Sequence, residues 1–239
     1  MKEVYSKDFY SRIDSGSMAS AATILKIVQG EVSVGSVVDV GAGSGAWLSA
    51  ARTLGISRLQ AIDGPWAAAA LDVKGIPFHA INFAEETSEF KPDRRFDLAT
   101  CVEMAEHIPK ARSDVLVGFL CSLADIVVFS AAAPGQGGDH HVNEQWPEFW
   151  ATLFREHGYV CSDWLRWEIW NEESVEWWYR QNILFFVHES RFSRLSEKLQ
   201  AAATQQPRPV VHPASFARFF GRAHKLAAFI SMVNRRLGL

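Results

Sequence analysis

Over the first thirty positions apolar residues recur at helical spacing; beyond position 36 they gather into short uninterrupted runs. Residues 3–13 and 18–30 predict two helices, the second capped by Ser17 and burying Ala21, Ile24, Leu25 and Val28. Val37-Val38-Asp39-Val40 begins a series of apolar runs at 36–40, 58–62, 78–81, 96–100 and 125–130. Helical segments lie between them, near 46–54, 66–73 and 112–122. Short apolar strands alternating with helices predict a doubly wound α/β domain, its strands parallel and joined by right-handed crossovers.

Past residue 130 the pattern changes. A polar loop, Ala131 to Gln145, leads into a helix with Pro147 in its first turn and Gly158 just past its end. Two β-rich runs follow, 159–169 and 181–188. Their connection is too short for a crossover helix, so they are expected to pair antiparallel. Residues 204–213, with Gln205-Gln206-Pro207-Arg208-Pro209, read as a linker, and about 214–237 as an amphipathic helix. The expected organisation is N-terminal helices in 1–35, an α/β domain in 36–190 and a basic helical tail in 191–239.

Composition narrows the class. The 239 residues are 48% hydrophobic and 21% charged, as in an ordinary globular chain. No apolar run reaches the ~18 residues of a membrane span, and Met1 to Asp8 offers no apolar stretch for a secretory signal. Cys101, Cys121 and Cys161 are odd in number, far apart and set among apolar residues, which argues against a disulfide framework and fits a reducing cytoplasm. The net charge of −3 is uneven: residues 190–239 hold nine lysines and arginines against Glu197 alone, a net +8, leaving −11 on the rest. Such an acidic body is poorly suited to wrapping nucleic acid. The tail has an apolar face of Phe216, Phe219, Phe220, Ala223, Ala227, Ile230 and Val233, with basic residues largely off it. It suits docking on its own domain or a second copy, peripheral contact with an anionic membrane, or RNA.

The most specific motif is Asp39-Val40-Gly41-Ala42-Gly43-Ser44-Gly45, where glycines let the backbone turn sharply beside a ligand. Asp63 follows at the end of the next strand, placed to accept hydrogen bonds from two ribose hydroxyls. Gly41, Gly43 and Ala46 also satisfy the dinucleotide fingerprint, so the loop alone leaves a nicotinamide cofactor, or a turn with no ligand, open. Asp39 two residues before the first glycine, the roughly 35 residues ahead of the first strand and the antiparallel ending favour S-adenosylmethionine. An acid at Asp39 can organise the loop and reach the methionine ammonium.

Val37–Trp47, Ala61–Trp66 and Phe96–Pro109 resemble, in order, three motifs of the class I S-adenosylmethionine-dependent methyltransferases, a likeness covering about residues 4–190. The resemblance implies a mostly parallel, seven-stranded Rossmann-like sheet closed by an antiparallel C-terminal hairpin. It implies donor binding by Asp39, Gly41, Ala42, Gly43, Gly45, Asp63 and Gly64. Asn82 and Phe83 would flank the adenine, and Cys101 to Glu103 would line the methionine. The loop Gly135-Gln136-Gly137-Gly138 through His141-Val142-Asn143-Glu144-Gln145-Trp146-Pro147, followed by Val175–Tyr179, resembles a bacterial subgroup.

Glu103, Glu106 and His107 form E-x-x-E-H after the fourth strand, and the loop after the fifth carries His140 and His141. Glu103, Glu106, His107 and His141 could converge on a divalent metal, as in the metal-dependent small-RNA and quinone-pathway O-methyltransferases they resemble. Two other readings stand beside this: local packing without metal, and His141 or His107 acting as general base. Asn143, Glu144 and Gln145 could hydrogen-bond a polyhydroxylated acceptor or cap the helix at Pro147. Seven of nine tryptophans fall between Trp146 and Trp178; Trp177 and Trp178 could roof the acceptor pocket, while Trp164 and Trp167 suit packing. The function expected is O-methylation of a small polar acceptor such as a sugar or glycan. RNA 2′-O-methylation and a non-catalytic donor-binding module are the alternatives.

Overall fold

The computed structural model describes residues 7–71 and 74–217. Helix α1 (Lys7–Glu31) precedes β1 (Ser36–Val40), α2 (Ala46–Thr53), β2 (Arg58–Asp63), β3 (Phe78–Ala80), β4 (Leu98–Val102), α3 (Ser113–Leu123) and β5 (Ile126–Ser130). Then come α4 (Pro147–Glu156), β6 (Tyr159–Ser162), α5 (Trp164–Glu168), α6 (Trp177–Asn182), β7 (Leu184–His188), α7 (Glu189–Phe192), α8 (Glu197–Ala201) and β8 (Ala203–Thr204). One sheet holds all eight strands in the order β3-β2-β1-β4-β5-β7-β6-β8. β3, β2, β1, β4 and β5 run parallel; β7, β6 and β8 are added antiparallel.

Strand side chains alternate between two cores, as the two-residue period requires. Val37, Leu98, Val128 and Phe185 join the core that α1 and α2 cover. Val38, Ala99, Val127 and Phe186 join the one that α3 and α4 cover. Burial on both faces explains why these strands are apolar throughout rather than alternating.

Four departures from the expected elements have local causes. The two N-terminal helices are one, α1. Gly16 and Ser17, read as a break, serve contact with α6 instead: a Cβ at Gly16 would collide with Glu176, and Ser17 Oγ lies 3.2 Å from Tyr179 OH. Ser20 Oγ also accepts the Glu176 N–H at 2.9 Å. The run 159–169 is strand only to Ser162. Asp163 then accepts hydrogen bonds from the Arg166 guanidinium and the Trp167 indole at 3.2 Å, one helical turn ahead, and the chain winds into α5. In the segment near 66–73, Pro65–Ala69 forms a 3₁₀ turn that Ala70 and Leu71 do not continue, and 72 and 73 lie outside the described residues.

The fourth departure is at the C-terminal boundary. The sheet gains an eighth strand because Ala203–Thr204 pairs with Cys161–Ser162, so the sheet extends into the region read as tail. In the segment read as a linker, Pro207 and His212 are buried and the His212 N–H donates to Gln181 Oε1 at 3.0 Å. The amphipathic helix expected at 214–237 lies outside the described residues beyond Ala217. Among the described residues no helix is long and apolar enough to cross a membrane.

Phe154 stacks on Phe186 at 3.8 Å and is wholly buried between α4 and the sheet. Phe154→Ala should cost about 3–5 kcal/mol in urea or thermal unfolding, through lost burial plus a residual cavity. A loss below about 1 kcal/mol would contradict this packing.

Candidate active site

Because β1, β2, β4 and β5 are parallel, the segments that follow them gather at one edge of the sheet. These are Gly41–Gly45, Asp63–Trp66, Glu103–His107 and Ala131–Gln145. Gly41, Gly43 and Gly45 adopt φ of 84°, 53° and 87°, a left-handed region that costs other residues roughly 1–2 kcal/mol each. A Cβ at Gly41 would also collide with Met104.

The carboxylate that braces this loop is Asp63 rather than Asp39. Asp63 Oδ2 accepts the Gly43 N–H at 2.7 Å and Oδ1 the Gly64 N–H at 2.5 Å, leaving each oxygen a second lone pair. Asp39 faces Thr100 across the β1–β4 pair, and its Oδ1 accepts the Thr100 hydroxyl at 2.7 Å. Burial pushes Asp39 up to about 7 and Asp63 up to about 6, against the hydrogen bonds that pull both down.

Glu103 ends β4 in a left-handed conformation, φ 49°. Its carboxylate accepts Asn182 Nδ2 at 3.1 Å and Gln136 Nε2 at 3.0 Å; Gln181 Nε2 in turn donates to Gln136 Oε1 at 3.1 Å. Burial raises the Glu103 carboxyl above its ordinary value. These amides were not among the expected site residues. Asn182 reaches the mouth because β7 runs antiparallel to β5 and starts where β5 ends, so a polar Gln181-Asn182 pair just before an antiparallel strand was the available signal.

Glu106, His107 and His141 converge: one ligand atom from each lies within 4.8 Å of the others. The two imidazoles meet edge to face at 5.0 Å. Glu103 is not one of this group; its carboxylate accepts Asn182 and Gln136 and lies beside Glu106. Glu106 is 1% exposed and its Oε2 has no hydrogen-bond partner. Burial, then the neighbouring Glu103, push its carboxyl well up. Burial and His141 push His107 down to about 4, so it is neutral at physiological pH.

The loop after β5 is built around His141. A Cβ at Gly138 would collide with the His141 ring, and Gly135 and Gly137 take φ of 82° and 65°. Glu144 Oε1 lies 2.9 Å from His141 Nδ1, and its carboxylate accepts the Gly135 and Gly137 N–H groups at 2.7 and 2.9 Å. Burial pushes Glu144 up, but these bonds outweigh it and hold it below the usual carboxylate range. Glu144 is thus engaged with the loop and with His141.

Other expected contacts are also redirected. Asn143 is buried and donates to Ser113 Oγ at 2.9 Å, tying the loop to α3, so it cannot face an acceptor. Phe83 packs in the core against Phe119 at 5.1 Å, and the Cys101 thiol is wholly buried, pushed up by that burial and then by Asp39, Glu106 and Asp63 nearby. Asn82 Oδ1 accepts the Ala84 N–H at 3.2 Å and starts a turn. Gln145 accepts Lys110 Nζ at 3.4 Å. Trp178 packs against the core that α1 covers, and Trp177 meets it edge to face at 5.6 Å.

Asp39, Asp63, Glu103 and Glu106 are thus gathered, buried, at the carboxyl ends of β1, β2 and β4, and among the described residues no lysine or arginine is hydrogen-bonded or ion-paired to any of them. When ionised, these acids attract a cation and repel a phosphate.

A family model described as a methyltransferase domain matches residues 19–206. The sugar N-methyltransferase KedS8 from Streptoalloteichus sp ATCC 53650 superposes with a TM-score of 0.58 at 14% identity, over 77% of this chain and 92% of that one. DesVI of Streptomyces venezuelae gives 0.57 at 11%, over 75% and 95%. CalS10, an amino pentose methyltransferase from Micromonospora echinaspora solved with S-adenosylmethionine, gives 0.52 at 14%, over 70% and 89%. At these identities the likeness extends to the fold. No curated protein matches the chain in sequence.

S-adenosylmethionine carries two positive charges, on the sulfonium and the ammonium. Below their pKa values of about 7 and about 6, Asp39 and Asp63 are neutral and give no attraction; ionised above them, they do. Affinity for this donor should therefore tighten about tenfold, roughly 1.4 kcal/mol, from about pH 5.5 to about pH 8. Calorimetry across that range checks it, and Asp39→Asn should flatten the upper half of the profile. A flat wild-type profile would contradict the assignment.

Proposed function

We propose that this chain, which belongs to the methyltransferase domain family and uses S-adenosylmethionine, methylates a hydroxyl of a small polyhydroxylated acceptor such as a sugar or glycan. The observation that carries the reading is the Glu106–His107–His141 cluster at the mouth. A neutral hydroxyl must lose its proton to become a good nucleophile, and this cluster is where it can.

The residues present fit the donor. The glycine loop gives backbone room, Asp63 keeps lone pairs for ribose hydroxyls, and the buried acids complement positive charge. When bound, S-adenosylmethionine supplies an electrophilic methyl group on a sulfonium. The chain's own work is then to place the acceptor oxygen in line with that methyl and accept its proton. Two routes open at the cluster. His141, with Nδ1 held by Glu144, can present Nε2 as a base, or the three side chains can hold a cation that acidifies the hydroxyl.

The acidic mouth disfavours RNA, whose phosphates it would repel. A loop built around one histidine is more than a non-catalytic donor-binding module needs. A second reading, N-methylation of an amino sugar, is favoured by the neighbouring acids Glu103 and Glu106, whose raised carboxyls a bound ammonium would draw back to the ionised form. It accords with the sugar and amino pentose methyltransferases that share the fold.

Incubating the protein with methyl-labelled S-adenosylmethionine and fractionated cell extract should place label in small polar molecules or glycans; label in RNA, or none, would overturn the reading. With the acceptor in hand, His141→Ala should lower kcat by about 10²–10⁴ while leaving donor affinity unchanged. Hydrolysing the product then separates an O-methyl ether from an N-methyl amine.

A further inference from the structure

Glu103 stands at the end of a chain of side-chain amides whose direction is set from outside it. An amide can turn either face to a neighbour, since its oxygen accepts and its nitrogen donates. A backbone N–H can only donate. The His212 N–H lies 3.0 Å from Gln181 Oε1 and so fixes which way Gln181 faces. The Gln181 amide nitrogen is left to donate, to Gln136 Oε1 and to Asn182 Oδ1, each at 3.1 Å. Gln136 Oε1 also accepts Asn182 Nδ2 at 2.8 Å and, at 3.4 Å, the Ala133 N–H. With both oxygens so engaged, the nitrogens of Gln136 and Asn182 turn on Glu103, at 3.0 and 3.1 Å. Were those two amides reversed, they would set oxygen against carboxylate oxygen.

The chain has a front and a back. Gln181 and Asn182 are buried, whereas Glu103 and Gln136 are half-buried and reach the crevice. Met104, next to Glu103, lies against the glycine loop, close enough to meet a Cβ at Gly41. Glu106 leaves its Oε2 without a partner, so of these two neighbouring carboxyls Glu103 is the better held as an anion. The segment that carries His212 is itself pinned. The His212 ring is buried and packs on Trp170 at 4.7 Å. Its Nε2 lies 3.0 Å from the Trp170 carbonyl oxygen, and its Nδ1 accepts the Ala214 N–H at 3.2 Å. Both contacts are satisfied only by the neutral ring with its proton on Nε2.

We propose that the segment 205–215 is a working part of the donor site. Through the His212 N–H and Gln181 it holds Gln136 and Asn182 with their N–H groups toward Glu103, and so presents an ionised Glu103 to the positive charge of S-adenosylmethionine. Gln181 is a positioning residue, spending its oxygen on His212 and its N–H groups within the chain, and its effect on the donor passes through Glu103. The proposal rests on the use of S-adenosylmethionine and asks nothing of the acceptor.

The test reads S-adenosylmethionine affinity of the full chain by calorimetry, arranged as a double-mutant cycle. Gln181→Met, similar in size but without N–H donors, should weaken binding by about 10–100-fold. In a Glu103→Gln background the same substitution should weaken it by less than about twofold, because no carboxylate is left to orient. Thermal unfolding identifies any variant that fails to fold, and Asn182→Leu, one step nearer Glu103, repeats the cycle from an independent position. Linkage gives a second readout, since a segment that aids donor binding is in turn held more firmly by the donor. Saturating S-adenosylmethionine should slow hydrogen exchange at the His212 amide in the wild type, and should not affect it in Gln181→Met. Equal losses from Gln181→Met in both backgrounds would reduce Gln181 to packing and overturn the proposal, as would exchange at His212 indifferent to the donor. A wild type that fails to bind S-adenosylmethionine would overturn the donor reading itself. Normal binding by both the wild type and Gln181→Met would overturn the role of the segment alone.

Discussion

Strand β1 pairs with β2 on one side and with β4 on the other, and the chain leaves those neighbours toward opposite halves of the sheet. Loops that diverge at such a reversal cannot close over each other, so a crevice opens beyond the carboxyl ends of the strands. Most of the groups that bear on function depend on this one placement. The glycine loop enters it from β1, Asp63 from β2, Glu103 through His107 from β4 and His141 from the loop after β5. The antiparallel closure adds a contribution from the other direction, since β7 begins at the same edge and brings Asn182 with it.

Within the crevice the dominant energy is electrostatic. A buried carboxylate is expensive unless neutral donors or a cation attend it. Here neutral donors do part of that work: Thr100 for Asp39, backbone N–H groups for Asp63, side-chain amides for Glu103. These bonds are too few to offset burial, and the carboxyls remain raised. The site is left poised to gain from a positive ligand. That preference separates a sulfonium donor from a dinucleotide, which the glycine spacing alone does not.

The parallel strands were legible because they are buried on both faces and read as unbroken apolar runs; β1 matches the expected 36–40 residue for residue. The antiparallel pairing of β6 with β7 was expected, but from a short connection; the observed one, 163–183, holds α5 and α6 and is long enough for a crossover. What stayed hidden depends on contacts distant in sequence. Gly16 and Ser17 look like a helix break until Glu176 and Tyr179 are seen against them. Asp39 looked fit to brace the loop, and only the β1–β4 register, which sets it opposite Thr100, shows why Asp63 does so. Asn143 and Glu144 were legible as a polar loop, but not the division of labour in which one anchors the loop and the other holds His141. Beta-rich composition misled at Trp164–Glu168, where aromatic residues line a short helix whose start is set by Asp163.

An acidic crevice at the β1–β4 reversal accepts a positively charged methyl donor. Titrating the protein in a calorimeter with S-adenosylmethionine and, separately, with NAD tests it most directly, because the glycine loop would admit either while the charges would not. S-adenosylmethionine should bind one-to-one with micromolar or tighter affinity, and NAD should give no detectable heat. Binding of NAD at comparable affinity, or of neither ligand, would contradict it.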